Sequence, residues 1–121
     1  MTESGPLVGS CHCGRVTIAI PELPDHVTHC NCSLCSKTGF QGIYYPSDAV
    51  TISGEFDDYV RADSNPACIV QHRCRQCGIA THWTPLTEPP HERIGINARL
   101  FEPGAFDGIE VRKVDGRSWP L

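Results

Sequence analysis

The sequence feature that most constrains the fold is a set of seven cysteines in three short clusters. The clusters are Cys11-His12-Cys13-Gly14, Cys30-Asn31-Cys32-Ser33-Leu34-Cys35 and Cys74-Arg75-Gln76-Cys77-Gly78. The eighth cysteine, Cys68, stands alone. Closely spaced thiolates can reach one metal ion without closing a long loop, and Zn²⁺ favours four such ligands in a tetrahedron. The clusters therefore predict metal sites.

Disulfide bonds and a dithiol redox site are two weaker interpretations of the cysteines. An even cysteine count permits a disulfide framework. Residues 1–6, however, lack the basic and apolar parts of a secretory signal peptide, so we expect a cytoplasmic protein with reduced thiols. The C-x-x-C spacing of Cys32 and Cys35 also occurs in dithiol redox sites. Such sites normally open a helix in a βαβ unit, and the sequence shows no such pattern.

Length and charge limit the size of the protein and its partners. The 121 residues leave room for one core, so we expect a single zinc-binding domain over residues 1–121. A formal net charge of −4 without a basic run argues against nucleic acid as a partner. No apolar stretch approaches the ~20 residues that span a bilayer, so we expect no membrane partner either. No feature of the sequence indicates an oligomeric state.

Short alternating segments between proline and glycine breakers indicate β-strands. The predicted strands cover residues 15–20, 41–45, 50–53, 67–73, 80–84, 93–100 and 109–114. The 10 prolines and 11 glycines leave little room for a long helix. At most, residues 33–39 could form one short helical turn after the middle cysteine cluster. The prediction is an all-β, or β-rich, small zinc domain with few or no helices.

The first and third clusters each end in a glycine. Glycine permits positive φ, and the tight turn leaves backbone N–H groups free to hydrogen-bond the sulfurs of metal ligands. Four thiolates leave no coordination position for a substrate, so a site of this kind is structural. The two glycine-terminated pairs therefore predict a structural zinc site formed by Cys11, Cys13, Cys74 and Cys77.

The middle cluster supplies three thiolates from one short turn, at Cys30, Cys32 and Cys35. Three protein ligands with an open fourth position are typical of catalytic zinc, which can hold a thiol as its thiolate or polarise a small carbonyl compound. Two alternatives would close the site. Cys68 could complete a second four-cysteine centre, although its apolar setting favours a buried free thiol, and His29 could be the fourth ligand.

The order of the three motifs resembles the glutathione-dependent formaldehyde-activating enzyme family, which also includes centromere protein V. The resemblance rests on Gly9-Ser10-Cys11-His12-Cys13-Gly14-Arg15-Val16, on the two later cysteine clusters, and on Lys37-Thr38-Gly39 after the middle one. It implies a β-rich, tent-like fold with two zinc ions per chain. The structural ion would take the four-cysteine set and the catalytic-type ion the middle cluster, the same partition that the glycine positions predict.

The family resemblance also implies an activity: a carbon–sulfur lyase-type reaction that reversibly joins glutathione and formaldehyde. A glutathione-like thiol and a small aldehyde would then be the partners. Because glutathione is anionic, Lys37 and Arg99 are the candidate cations for its carboxylates. One departure from the family pattern is the segment 97–103, which lacks an expected pair of aspartates.

A different class of function also fits the cysteines. A non-catalytic, zinc-stabilised protein-interaction module would need only the four-cysteine site and would use the middle cluster as a second structural staple. An exposed apolar patch over residues 30–35, in place of a cleft, would favour that alternative.

Overall fold

The computed structural model describes residues 7–62, 69–86 and 93–118. Within these ranges the chain forms ten strands and one α-helix. The strands are β1 (Leu7–Ser10), β2 (Thr17–Ile20), β3 (His26–Cys30), β4 (Gly42–Pro46), β5 (Thr51–Ser53), β6 (Phe56–Val60), β7 (Ile69–Cys74), β8 (Ala80–Pro85), β9 (Arg93–Asn97) and β10 (Glu110–Val114). The helix, α1 (Ser33–Thr38), lies between β3 and β4.

The strands form a three-stranded sheet and a seven-stranded sheet. The small sheet has the order β1-β2-β5, and the large sheet has the order β10-β3-β4-β9-β8-β7-β6. All described pairs are antiparallel except β10 with β3, which run parallel. The all-β prediction is therefore confirmed. No helix in the described part of the chain is long and apolar enough to cross a bilayer.

The apolar core follows from the two-residue period of the strands. Alternate residues of a strand point to opposite faces of its sheet. On β4, Ile43 and Tyr45 are buried in the core, and on β9, Ile94 and Ile96 are buried beside them. Ile18 of β2 in the small sheet belongs to the same cluster. One face of the large sheet therefore packs into the apolar core.

The opposite face of the large sheet, which we call the site face, carries the intervening residues. Tyr44 of β4 is paired in register with Gly95 of β9, and Gly95 is paired with Trp83 of β8. The indole of Trp83 lies against Gly95, where a Cβ atom would overlap its ring. Glycine at position 95 therefore lets an aromatic side chain lie flat on the sheet.

The sequence pattern predicted most of these elements and missed three strands. The helical turn over residues 33–39 is confirmed as α1, which ends where Gly39 adopts a φ of 75°. The missed strands are β1, β3 and β6. β3 and β6 read HVTHC and FDDYV, in which polar residues interrupt the expected apolar alternation. Of the predicted strand 67–73, the first two residues lie outside the described ranges.

The predicted strand over residues 93–100 is too long by three residues. β9 ends at Asn97, and residues 98–100 form one turn of 3₁₀-helix. The Asn97 side-chain oxygen accepts the backbone N–H of Arg99 at 3.1 Å, and its amide nitrogen donates to the carbonyl of Ala80 at 2.8 Å. This buried asparagine caps the turn and ends the strand, an effect that apolar alternation does not reveal.

A polar cluster continues the core face across β6, β7 and β8. His72 is hydrogen-bonded to Asp58 at 2.7 Å through Nδ1 and to Thr84 at 2.8 Å through Nε2. Its ring stacks on that of His82 with centroids 4.4 Å apart. Burial and the neighbouring His72 lower the pKa of His82 to about 3. His82 is therefore neutral in the folded protein at every ordinary pH.

We expect acid to destabilise the protein through His82. The unfolded chain binds a proton there below pH ~6.5, whereas the folded chain does not until about pH 3. The free energy of unfolding should fall between these values by up to about 1.4 kcal/mol per pH unit. Urea unfolding of metal-loaded wild type and His82→Gln at pH 7.5 and 5.5 measures this difference. Equal pH dependence in both proteins would contradict it.

Candidate metal centres

The first and third cysteine clusters meet at one point in the fold. Cys11 and Cys13 follow β1, Cys74 ends β7, and Cys77 lies in the turn to β8. The four Sγ atoms all lie within 4.8 Å of one another. The Cys11–Cys13 and Cys13–Cys74 sulfur pairs are 3.7 and 3.6 Å apart. A disulfide bond has an S–S distance of ~2.05 Å, whereas tetrahedral zinc with Zn–S bonds of ~2.3 Å places its sulfurs ~3.8 Å apart. The observed sulfur spacing therefore fits a metal site and not a disulfide.

The backbone around these cysteines also fits a metal site. Gly14 and Gly78 have φ values of 82° and 81°, as the glycine argument predicted. The Cys74 sulfur accepts the backbone N–H groups of Gln76 at 3.3 Å and Cys77 at 3.4 Å. Such hydrogen bonds stabilise a ligating thiolate and orient it. The donor set and its spacing fit a tetrahedral thiophilic ion such as Zn²⁺.

The middle cluster forms a second, separate group. Cys30 ends β3, Cys32 is the N-cap of α1, and Cys35 lies within the helix. Their three Sγ atoms lie within 4.8 Å of one another. The Cys30 sulfur accepts the N–H of Cys32, and the Cys32 sulfur accepts the N–H of Cys35, both at 3.4 Å. This group could hold a metal ion with three protein ligands.

The three thiols of this group differ in acidity. At Cys32, burial opposes the thiolate, but the hydrogen bonds from the Cys35 backbone N–H and from the Cys35 and Cys30 side chains, followed by the positive charge of Arg61, outweigh it, so its pKa lies below the ordinary thiol value. Burial and the neighbouring Cys32 raise the pKa of Cys35. Burial likewise raises the pKa of Cys30. A bound cation would favour the thiolate form of all three.

Arg61, just beyond β6, is a site residue that the sequence analysis missed. It is only 6% exposed, and its Nη1 atom lies 4.0 Å from the Cys32 sulfur. Three thiolates and a divalent cation carry a net charge of −1, which a guanidinium at this distance offsets. The two residues are 29 positions apart, and β6, which ends next to Arg61, was not among the predicted strands. No local motif connects them.

Tyr44 lies beside the middle cluster on the site face. Its hydroxyl is hydrogen-bonded to the side chain of Thr28, which is two residues before Cys30 on β3. The same hydroxyl lies over Gly42, where a Cβ atom would be only 2.6 Å away. Burial raises the pKa of Tyr44, so the phenol stays protonated at neutral pH. A proton donor therefore stands next to the three-thiol group.

His29 and Cys68 are the two suggested fourth ligands of the three-cysteine group. His29 lies on β3 but is not part of the three-sulfur group, and Cys68 lies outside the described residues. Among the candidate substrate cations, Lys37 is exposed on α1. The Arg99 Nε atom donates to the carbonyl of Gly39 at 2.7 Å, beside a cavity of about 350 Å³. Substrate contact by Lys37 or Arg99 remains a prediction.

The fold and the two thiol groups define a class: a small β-rich domain with two cysteine clusters that could hold metal ions. The sequence profile of the glutathione-dependent formaldehyde-activating enzyme family matches residues 6–113, and the chain belongs to this family. A solved structure supports the fold. The crystal structure of a Rhodobacter sphaeroides protein, a Northeast Structural Genomics target, has a TM-score of 0.68 and 28% sequence identity. The match covers 89% of this chain and 100% of that chain.

Proposed function

We propose that this protein is a zinc-dependent carbon–sulfur lyase that reversibly joins glutathione to formaldehyde, giving S-hydroxymethylglutathione. The observation that carries the proposal is the difference between the two cysteine groups: one offers four sulfurs, and the other offers three. A four-sulfur set satisfies a tetrahedral ion, whereas a three-sulfur set leaves one position for an incoming thiol.

The residues that would hold zinc follow from this difference. Cys11, Cys13, Cys74 and Cys77 would hold a structural ion. Cys30, Cys32 and Cys35 would hold the ion at the reaction centre. When bound there, Zn²⁺ would lower the pKa of a substrate thiol toward neutrality.

The reaction itself needs a nucleophilic sulfur and a source of one proton. The thiolate sulfur forms a bond to the carbonyl carbon of formaldehyde, and the π electron pair moves to the oxygen, which then takes a proton. In this reaction the Tyr44 hydroxyl, which is hydrogen-bonded to Thr28, would donate a hydrogen bond to that oxygen. With a further thiolate the group would carry a net charge of −2, of which the buried guanidinium of Arg61 offsets one unit.

The exposed apolar side chains bear on the alternative of an interaction module. In the described ranges the exposed large apolar side chains are Val8, Leu23, Tyr59, Val60, Ile79, Leu86 and Val111. None of these lies in residues 30–35, where an apolar docking patch was expected for a module. Leu34 itself is half-buried.

The test is the rate at which the protein exchanges formaldehyde with glutathione. Because the adduct also forms without catalyst, exchange NMR with ¹³C-formaldehyde must compare the protein against the uncatalysed background. We expect the zinc-loaded protein to raise the exchange rate in proportion to its concentration. A rate equal to background, with both metal sites loaded, would refute the proposed activity and favour the interaction module.

A further inference from the structure

A second cavity lies at the far end of the site face from α1. It measures about 200 Å³ and is formed where β3 begins and β4 ends. Asp25, His26, Tyr44 and Arg93 contribute its functional groups. None of these residues except Tyr44 belongs to the three-thiol site described above.

His26 presents an unsatisfied polar atom. Its Nδ1 is buried and has no hydrogen-bond partner among the described residues. Buried ring nitrogens are normally paired, because leaving one unpaired costs about 1–3 kcal/mol. Its ring packs beside that of Tyr44, with centroids 5.8 Å apart. Because this nitrogen is closed off from solvent, His26 contributes to the wall of the cavity through other atoms of its ring.

The cavity also carries charges of both signs. The Arg93 guanidinium carbon lies 4.4 Å above the centre of the Tyr44 ring, which holds the positive charge over the sheet. The carboxylate of Asp25 belongs to the same lining. A guanidinium suits a carboxylate, and a carboxylate suits an ammonium group. This pairing matches the zwitterionic head of an α-amino acid.

We propose that this cavity binds the α-amino-acid head of the thiol substrate, as found at the γ-glutamyl end of glutathione. Arg93 binds the α-carboxylate, and Asp25 binds the α-ammonium group. The assignment of the bound molecule as a thiol substrate rests on the proposed function. The binding of the head group itself does not.

The distance between the cavity and the three-thiol group fits such a substrate. His26 and Cys30 lie on the same face of β3, four residues or ~13 Å apart along the strand. Tyr44 bridges the interval, with its ring beside His26 and its hydroxyl on Thr28. The thiol of glutathione lies eight bonds from the α-carboxyl carbon of its γ-glutamyl end, about 10 Å when extended, and a metal–sulfur bond of about 2.3 Å and a hydrogen bond of about 2.9 Å add to this reach. A tripeptide thiol can therefore contact both places at once.

The test uses S-methylglutathione, which has the amino-acid head but no free thiol. Calorimetric titration of the metal-loaded protein should give a dissociation constant about tenfold weaker in Arg93→Gln than in wild type. Arg73→Gln, which removes an exposed arginine of β7 outside the cavity, should leave it unchanged. Asp25→Asn should reduce the preference of the protein for S-methylglutathione over its analogue without the α-amino group.

The outcomes separate this inference from the proposed reaction. Weaker binding in Arg93→Gln supports the head-group site even if the protein does not accelerate formaldehyde exchange. Equal binding by Arg93→Gln and wild type would overturn the site while leaving the reaction intact. Failure of the wild-type protein to bind S-methylglutathione would overturn the site as well.

Discussion

Replacing Cys74 by serine is expected to abolish stable folding. Cys74 is only 1% exposed, its sulfur accepts two backbone N–H groups, and it lies 3.6 Å from the Cys13 sulfur. Structural zinc contributes ~10–16 kcal/mol of apparent binding energy, against ~5–15 kcal/mol for the stability of a typical domain. Losing one ligand of four should therefore remove most of the stability. Thermal unfolding followed by circular dichroism, together with the soluble yield, measures the effect.

The matched control for this prediction is Cys32→Ser in the other group. Cys32 is equally a buried cysteine, at 3% exposure, but it caps a short helix. Serine is itself a favoured N-cap residue, so the helix should keep its start. A melting temperature of Cys74→Ser within a few degrees of the Cys32→Ser value would contradict a structural role for the four-cysteine group.

The second large effect is expected on activity. Cys32→Ser should reduce formaldehyde–glutathione exchange to the uncatalysed background while the far-ultraviolet spectrum stays that of wild type. The Cys32 sulfur belongs to the three-sulfur group and lies 4.0 Å from the Arg61 Nη1 atom, and a serine hydroxyl is a much poorer ligand for a soft metal site. Loss of formaldehyde exchange in a variant that remains folded would show that the three-cysteine group has a role in the reaction.

The control for the activity prediction is Ser36→Ala on the same helix. Ser36 is exposed and lies next to Cys35, but its side chain bonds the carbonyl of Asn31 and no sulfur of the group. We expect this variant to retain wild-type exchange. If Cys32→Ser kept its activity, or unfolded as completely as Cys74→Ser, the three-cysteine group would have a structural role only.

The four-cysteine group could be predicted because its signal is local. Each half of the site is a short segment in which close spacing and a following glycine fix the turn. Gly14 and Gly78 have the positive φ values that this turn requires. The prediction of one site then requires only the pairing of the first cysteine cluster with the third. The grouping of Cys11, Cys13, Cys74 and Cys77 was therefore accessible before the fold was known.

Arg61, Tyr44 and Arg93 could not be predicted because their signals are not local. Tyr44 lies beside Cys30 only because β3 and β4 pair with Thr28 opposite Gly42. Arg61 follows β6, an edge strand separated from β3 by four strands in the large sheet, and it still reaches Cys32. Strand pairing at long sequence separation sets the first contact, and tertiary packing beyond paired strands sets the second. β3 and β6 were themselves missed because their polar residues break the apolar alternation.

We propose that the chain holds two metal ions, one in each of its two cysteine groups. The most direct measurement is zinc per chain, by elemental analysis of reduced protein that has been saturated with zinc and then dialysed. We expect two equivalents in wild type and one in Cys32→Ser. One equivalent in wild type would contradict the claim, because the three-cysteine group would then hold no resident ion.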